Sequence, residues 1–167
     1  MSQFNFRRLS NLEYATALGH RRRRQRRPVF RRDSMDRSPI PESLYRLIEG
    51  DPATSMEVAK RIIGDDVRID HNLLAQIATD KSIRKWSRIA AIYALGFVGE
   101  DKFADTIRKI LADATDDVLV RSHAAEALGN LRDKASVPLL QNVLRYGPPP
   151  DLSESCSYAL SELGAAR

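Results

Sequence analysis

A four-position pattern of small and large apolar residues recurs three times in the C-terminal half of this chain. Each copy uses the spacing i, i+3, i+4 and i+7, which places all four side chains on one stripe of an α-helix. Small residues in such a stripe let a neighbouring helix approach closely, and large ones fill the remaining gap. The pattern therefore predicts stacked, closely packed helices. The three copies are Ala91/Ala94/Leu95/Val98, Ala124/Ala127/Leu128/Leu131 and Cys156/Ala159/Leu160/Leu163.

The copies recur at nearly equal intervals, as the positions of Leu95, Leu128 and Leu160 show. The first two copies contain a glycine, and each is followed by a short charged turn and a second apolar stretch near Ile110 or Leu144. The predicted unit is a helix, a turn and a second helix. Ankyrin and tetratricopeptide repeats have a similar period, but their turn and tryptophan signatures do not occur in this sequence.

Three segments carry a closer likeness, RIAAIYALGFVGED (88–101), RSHAAEALGNLRDK (121–134) and ASVPLLQNVL (135–144). They resemble the compact HEAT-like repeat of phycobilisome lyases, and the resemblance covers about residues 70–164. It implies an all-α fold, a short right-handed α-solenoid of helical hairpins. It also implies relatives among bilin lyases, which handle tetrapyrroles, and among HEAT-like DNA glycosylases.

Weaker copies precede the three clear ones. An apolar pattern at Ala59, Ile62 and Ile63 predicts a degenerate first helix, and Leu74 and Ile77 predict its partner. Before them, residues 43–52 predict a short helix that is closed by a glycine and a proline. The third stripe lies close to residue 167 with no second helix after it, so we expect either a cap or a surface that a partner covers. The predicted repeat domain is 41–167.

The charge is divided unevenly along the chain. Residues 1–40 hold 11 arginines and three acidic residues, a net charge of +8, whereas residues 41–167 hold 16 basic and 19 acidic residues, a net charge of −3. Residues 20–41 are highly charged, contain three prolines and lack a sustained apolar period. Such a segment cannot bury enough apolar surface to offset its chain entropy. We therefore expect residues 1–40 to form a flexible, disordered basic N-terminal arm.

Within this arm, the arginines predict a contact with an anionic partner, because a guanidinium pairs bidentately with phosphate or carboxylate. RNA, DNA and an acidic protein surface all fit segment 21–37, and a targeting or solubilising role remains open. Phosphorylation at Ser34 or Ser38 would cancel part of the charge. The candidate anion-binding residues are Arg21, Arg22, Arg23, Arg24, Arg26, Arg27, Arg31 and Arg32.

Two further surfaces are candidate binding sites. An apolar segment with capping-box spacing at the N-terminus predicts a short docking helix for a protein partner. The second helices of the repeats predict a polar, basic groove, for which an ordinary solvated surface is the alternative. The docking residues are Phe4, Phe6, Leu9 and Leu12, and the groove residues are Arg108, Lys109, Gln141, Asn142 and Arg145.

No residue pattern predicts catalysis, a cofactor or a metal site. Cys156 occupies the position of Ala91 and Ala124 in the other copies, so we expect it to be a small buried core residue. The histidines at 20, 71 and 123 are not spaced as metal ligands. With one cysteine and no apolar run long enough to cross a bilayer, we expect a soluble protein in a reducing, intracellular compartment, cytoplasmic unless the arm directs it to the nucleus or an organelle.

These observations favour a non-catalytic protein. Its stack would bind a protein partner, and its arm would contact nucleic acid or an acidic surface. Such a chain would act as a scaffold, an adaptor or an assembly subunit. The alternative, which rests on the family resemblance, is an enzyme of the phycobilin-lyase type that handles a tetrapyrrole.

Overall fold

The computed structural model describes residues 42–165, and these form eight α-helices with no β-strand among them. Short 3₁₀ turns at Asp101–Phe103 and Lys134–Ser136 lead into the fifth and seventh helices. The all-α fold predicted from the sequence is therefore confirmed. The helices are α1 Glu42–Glu49, α2 Pro52–Ile63, α3 His71–Thr79, α4 Lys85–Val98, α5 Ala104–Ala112, α6 Val118–Asn130, α7 Val137–Arg145 and α8 Pro150–Glu162.

By its contacts the chain divides into two units, Met1–Asp36 and Arg37–Arg167, and every described residue belongs to the second. The predicted arm, with its arginines and its apolar docking segment, lies outside the described residues. The proposed domain boundary after residue 40 remains a prediction.

The helices of the second unit form two layers. The long helices α2, α4, α6 and α8 pack against one another in sequence, and α6 and α8 share the most extensive contact. The short helices α3, α5 and α7 contact one another far less and lie mainly against α4, α6 and α8 respectively. The helices with the Ala/Leu stripes therefore form the closely packed layer.

This contact pattern corrects the predicted phase of the repeat. The sequence suggested a long helix followed by its short partner, but each short helix instead packs against the long helix that follows it, in the hairpins α3–α4, α5–α6 and α7–α8. A sequence period is the same wherever the unit is taken to begin, so spacing alone could not fix the phase. Helix α8 is thus the second member of the hairpin α7–α8. The expectation that its uncovered side is a cap or a surface for a partner stays a prediction.

Glycines account for the close packing of the long helices. A Cβ atom built on Gly96 would lie 2.9 Å from the Cα of Ala127, and one built on Gly129 would lie 2.9 Å from the Cα of Ala159. Real Cβ atoms do not approach so closely, so each glycine lets the next helix approach to backbone contact. This explains why a glycine stands at the same place in both repeats.

Acidic caps define where three of the helices begin. The Asp51 carboxylate accepts a hydrogen bond from the Thr54 amide at 2.7 Å, and Pro52 occupies the first turn of α2. Asp70 and Asp117 accept from the backbone amides at the starts of α3 and α6, each at 2.9 Å. Such caps satisfy amides that have no partner inside the helix.

The predicted stripes form the core. Leu95 and Leu128 are fully buried, as are Ala91, Ala124 and Cys156 at the small positions. Burying one leucine contributes about 2 kcal/mol. The prediction that Cys156 packs as a small core residue is confirmed.

Candidate functional site

One side of the long helices α4, α6 and α8 carries aromatic, polar and acidic side chains, most of them partly buried, with Trp86 and Tyr93 packed against the core. Aromatic rings project from α4 and α8, and polar and acidic groups project from α6 and α8 at the equivalent positions. We call this surface the long-helix face. Its residues are Trp86, Tyr93, Phe97, His123, Glu126, Asn130, Tyr158 and Glu162.

Helical spacing and the repeat interval bring these residues together. Tyr93 and Phe97 lie one helical turn apart on α4, with ring centroids 4.9 Å apart, and the Phe97 ring is 40% exposed. On α6 the corresponding positions are Glu126 and Asn130, and on α8 Tyr158 and Glu162. At equivalent positions, α4 therefore carries two aromatic residues, α6 an acidic and an amide residue, and α8 one aromatic and one acidic residue.

Hydrogen bonds between α6 and α8 fix the orientation of the acidic part of the face. The carboxylate of Glu126 accepts from the Ser155 hydroxyl at 2.9 Å and lies 3.2 Å from Nδ1 of His123. The Tyr158 hydroxyl donates to Oδ1 of Asn130 at 3.4 Å. Ser155 is buried, whereas Glu126, Asn130 and Tyr158 are partly buried and remain partly exposed to solvent.

The tyrosines of the face are neutral phenols at physiological pH. Burial raises the pKa of Tyr93 above its ordinary value of 10.0. Burial also raises the pKa of Tyr158, and the negative charges of Glu162 and Glu126 add to that effect. Both rings therefore present an apolar body and a hydrogen-bonding tip to the surface.

A second histidine and carboxylate pair lies at the start of α3. His71 Nδ1 contacts the carboxylate of Glu100, which also accepts from Lys102 Nζ at 2.6 Å, and the His71 ring meets Phe103 edge to face. The hydrogen bonds from His71 and Lys102 lower the pKa of Glu100. This pair joins α3 to the turn after α4.

Neither pair makes a metal site. Across residues 42–165, no group of three or more His, Cys, Asp or Glu residues is placed to hold a metal ion. The remaining candidate nucleophile is Cys156, and burial raises the pKa of its thiol to about 11. A buried, protonated thiol is a weak nucleophile.

The basic groove predicted on the second helices lies on α5 and α7. Asp105 pairs with Lys109 at 2.9 Å and with Arg108 at 3.6 Å, and Asp133 also pairs with Arg108, so much of the positive charge on α5 is offset locally. The three groove residues from α7 are solvent-exposed, namely Gln141, Asn142 and Arg145. Their role in binding remains a prediction.

The sequence did not predict the long-helix face, because its positions lack the apolar period that identifies the stripes. A signal for it exists: Tyr93/Phe97, Glu126/Asn130 and Tyr158/Glu162 recur at the repeat interval on the side opposite each stripe.

The helices within residues 42–165 include none that is long and apolar enough to cross a membrane.

Comparison with known proteins defines the class. The HEAT repeats family matches residues 71–161, which span the three hairpins from α3 to α8. The chain belongs to the HEAT-repeat family. The match is to HEAT repeats in general and does not extend to the phycobilisome-lyase type.

Several curated deoxyhypusine hydroxylases are similar to this chain. The chain is 37% identical to deoxyhypusine hydroxylase-B of Oryza sativa subsp. japonica over 71 residues, 42% of this chain and 23% of the rice protein. It is 34% identical to the Candida albicans enzyme over 71 residues, 42% of this chain and 22% of that protein. It is 31% identical to the Saccharomyces cerevisiae enzyme over 111 residues, 66% of this chain and 31% of the yeast protein. The chain thus spans about a quarter to a third of their length.

These relatives correct the functional prediction. Each is named as an enzyme, so the predicted non-catalytic scaffold, adaptor or assembly subunit is wrong, as is the expectation that the chain is not an enzyme. The error has a physical reason: the apolar periodicity that identifies a repeat describes its core, while activity depends on the solvent-facing positions, which vary independently of the fold.

Proposed function

We propose that this chain contributes substrate binding to a hydroxylase of the deoxyhypusine hydroxylase kind. Its long-helix face binds the amine-bearing side chain on which the enzyme acts. The observation that carries the proposal is the placement of aromatic rings beside carboxylates on that face, in a chain whose relatives act on such a side chain. The proposal replaces the scaffold role.

Deoxyhypusine is a lysine extended by an aminobutyl group, so it presents aliphatic spacers and two cationic amines. Carboxylates attract the amines, and aromatic faces accept both the methylenes and the ammonium groups. Glu126 and Glu162 lie on neighbouring helices, which suits a ligand with two separated charges. An amine that binds Glu162 must displace Arg132, whose Nη2 lies 2.9 Å from that carboxylate. Tyr158 lies close enough to both carboxylates for their charges to raise the pKa of its hydroxyl, and Tyr93 and Phe97 occupy the equivalent positions on α4.

Hydroxylation also needs an oxygen-activating group, and non-haem iron oxygenases hold theirs with two histidines and a carboxylate. His71 and His123 lie in separate hairpins, and each faces one carboxylate. The described residues do not fit a complete site of this kind. We therefore assign them substrate binding and derive no oxidation step from them.

Calorimetry with a peptide that contains deoxyhypusine tests this assignment. The full chain is expected to bind it at least ten times more tightly than the same peptide with an ordinary lysine. Glu126→Gln keeps the hydrogen bond to Ser155 and removes the charge, so it should weaken binding about tenfold, or about 1.4 kcal/mol. The matched control is Asp105→Asn, an acidic residue of the short-helix layer that should have no effect.

Equal affinity for the two peptides, or an unchanged affinity in Glu126→Gln, would overturn the proposal. A second measurement adds ferrous iron and oxygen and follows the peptide by mass spectrometry. We expect no gain of an oxygen atom from this chain alone. Such a gain would show that residues beyond the long-helix face complete a site within the chain.

The arginines of segment 21–37 and the apolar residues ahead of them remain proposed contacts for a partner, as do the groove residues on α5 and α7. If the arm neutralises about six phosphates, the affinity for nucleic acid should fall about a thousandfold between 50 and 200 mM salt. An interaction that does not respond to salt would exclude a phosphate contact by the arm.

A further inference from the structure

An arginine joins the first two HEAT hairpins. Nε of Arg88, on α4, donates to the carbonyl of Ala78 at the end of α3 at 2.9 Å. Its Nη1 and Nη2 donate to the two oxygens of Asp116 at 2.7 and 2.6 Å. Asp116 lies in the turn before α6, so this guanidinium connects one hairpin to the next through a bidentate carboxylate pair.

The next hairpin repeats half of this arrangement. Arg121 occupies the position of Arg88 one repeat later, and Leu111 likewise occupies the position of Ala78. Nε of Arg121 donates to the carbonyl of Leu111 at 3.0 Å. The backbone contact is thus preserved, and it anchors the guanidinium of Arg121 to the end of α5 through the same nitrogen.

The next hairpin, however, has no carboxylate at the position that corresponds to Asp116. The turn before α6 carries Asp116 and Asp117, while the corresponding turn before α8 carries Pro148 and Pro149. Among the described residues, no carboxylate forms an ion pair with Arg121. Its Nη1 and Nη2 groups are therefore held in place by the Nε bond without the two oxygens that the equivalent groups of Arg88 bind.

The guanidinium of Arg121 is partly shielded from solvent and lies near α8. The Arg121 side chain is partly buried. Its positive charge also acts on the thiol of Cys156 in α8, where it opposes the effect of burial on the thiol pKa. A partly buried guanidinium binds a two-oxygen anion more strongly than a fully solvated one does.

We propose that the Nη1 and Nη2 groups of Arg121 form a receptor for an external carboxylate, supplied by an aspartate or glutamate of an acidic polypeptide segment that lies along the turn before α8. The structure favours a polypeptide carboxylate because the equivalent groups of Arg88 hold one, in the same geometry, from the chain itself. This site lies on the turns between helices and is independent of the amine-binding role of the long-helix face.

Nuclear magnetic resonance of the arginine Nε–H groups in the full chain tests the proposal. The probe is the acetylated and amidated tetrapeptide Thr-Asp-Asp-Val, the sequence of residues 115–118. The Arg121 signal, identified by its loss in Arg121→Lys, should shift saturably as the peptide is added. The Arg88 signal should stay in place because its carboxylate site is filled, so each titration contains its own control.

The matched probe Thr-Asn-Asn-Val should leave Arg121 unchanged. A second variant, Pro148→Asp, supplies the missing carboxylate from within the chain, so it should abolish the response to the acidic peptide and raise the unfolding midpoint. An unmoved Arg121 signal, equal shifts at Arg88 and Arg121, equal responses to the two peptides, or an unaltered response in Pro148→Asp would overturn the proposal. A stronger response to inorganic phosphate than to the acidic peptide would overturn the assignment to a polypeptide.

Discussion

At the scale of single residues, the pair formed by Arg88 and Asp116 is the most buried charge contact among the described residues. The two side chains are 5% and 4% exposed. Both oxygens of the carboxylate are used, and Nε of the arginine is bonded as well, so each charge is compensated where water cannot reach it. Removing one partner would leave the other charged and buried.

We predict that Asp116→Asn lowers the free energy of unfolding by about 3 kcal/mol, because the amide cannot balance the buried guanidinium. The neighbouring Asp117→Asn is a matched control. Asp117 is exposed, and asparagine caps a helix as well as aspartate does, so it should cost less than about 0.5 kcal/mol. Urea unfolding followed by circular dichroism measures both. Equal losses in the two variants would contradict the importance of the buried pair.

The same residue predicts a dependence on pH. The hydrogen bonds from Arg88 hold the pKa of Asp116 below its ordinary value of 3.8. In the unfolded chain the carboxyl binds a proton at a higher pH than in the native state, so its contribution is complete above pH 3.8 and is lost as the pH falls towards the native pKa. We expect unfolding midpoints to fall less steeply on acidification in Asp116→Asn than in the wild type.

At the scale of the helices, the glycines decide how closely the long helices approach. A helix normally gains about 0.5–1 kcal/mol when an interior glycine becomes alanine. At Gly96 and Gly129 the added methyl would collide with Ala127 and Ala159 of the next helix. This steric conflict should therefore make a glycine-to-alanine substitution lower the free energy of unfolding at both positions instead of raising it.

We predict that Gly96→Ala and Gly129→Ala each destabilise the protein by about 1–3 kcal/mol in thermal or chemical unfolding. Gly64→Ala serves as the control, because a Cβ there would meet nothing closer than 3.5 Å and the backbone φ of −77° suits alanine. That variant should be stabilised by about 0.5 kcal/mol. A gain of stability in all three variants would show that the long helices can move apart at no cost.

At the scale of the whole molecule, the second unit contains a continuous core from α1 to α8. In a stack of this kind each hairpin is stabilised by its neighbours, so stability depends on the contacts between hairpins rather than on distant segments. The HEAT-repeat family match covers α3 to α8 of this core.

We predict that deleting residues 1–40 leaves the helical circular dichroism per molecule and the melting temperature of the stack almost unchanged. Deleting residues 146–167 should instead lower the melting temperature sharply, because α8 makes the most extensive contact of α6. Thermal melts of the two shortened chains provide the comparison. Unfolding caused by the first deletion would contradict the proposed domain boundary.

Much of the fold could be predicted from the sequence because it depends on local order. The helical period places Ala91, Ala94 and Leu95 on one side of a helix in any context, and repetition at a nearly constant interval requires that equivalent helices pack in equivalent ways. The long helices, the short helix near residues 43–52, the helix through Leu74 and Ile77 and the burial of Cys156 all follow from these two periods, whereas the pairing of that helix with α2 was part of the error in phase.

Only the tertiary structure decided which helices pair and which surface is chemically distinctive. Residues far apart in the sequence meet through the relative position of helices, as Glu126 meets Ser155 and Arg88 meets Asp116, and no local pattern specifies that position. The phase of the hairpins, the long-helix face and the unfilled carboxylate site of Arg121 could be recognised only once the helices were assembled, because each depends on where one helix lies relative to the next.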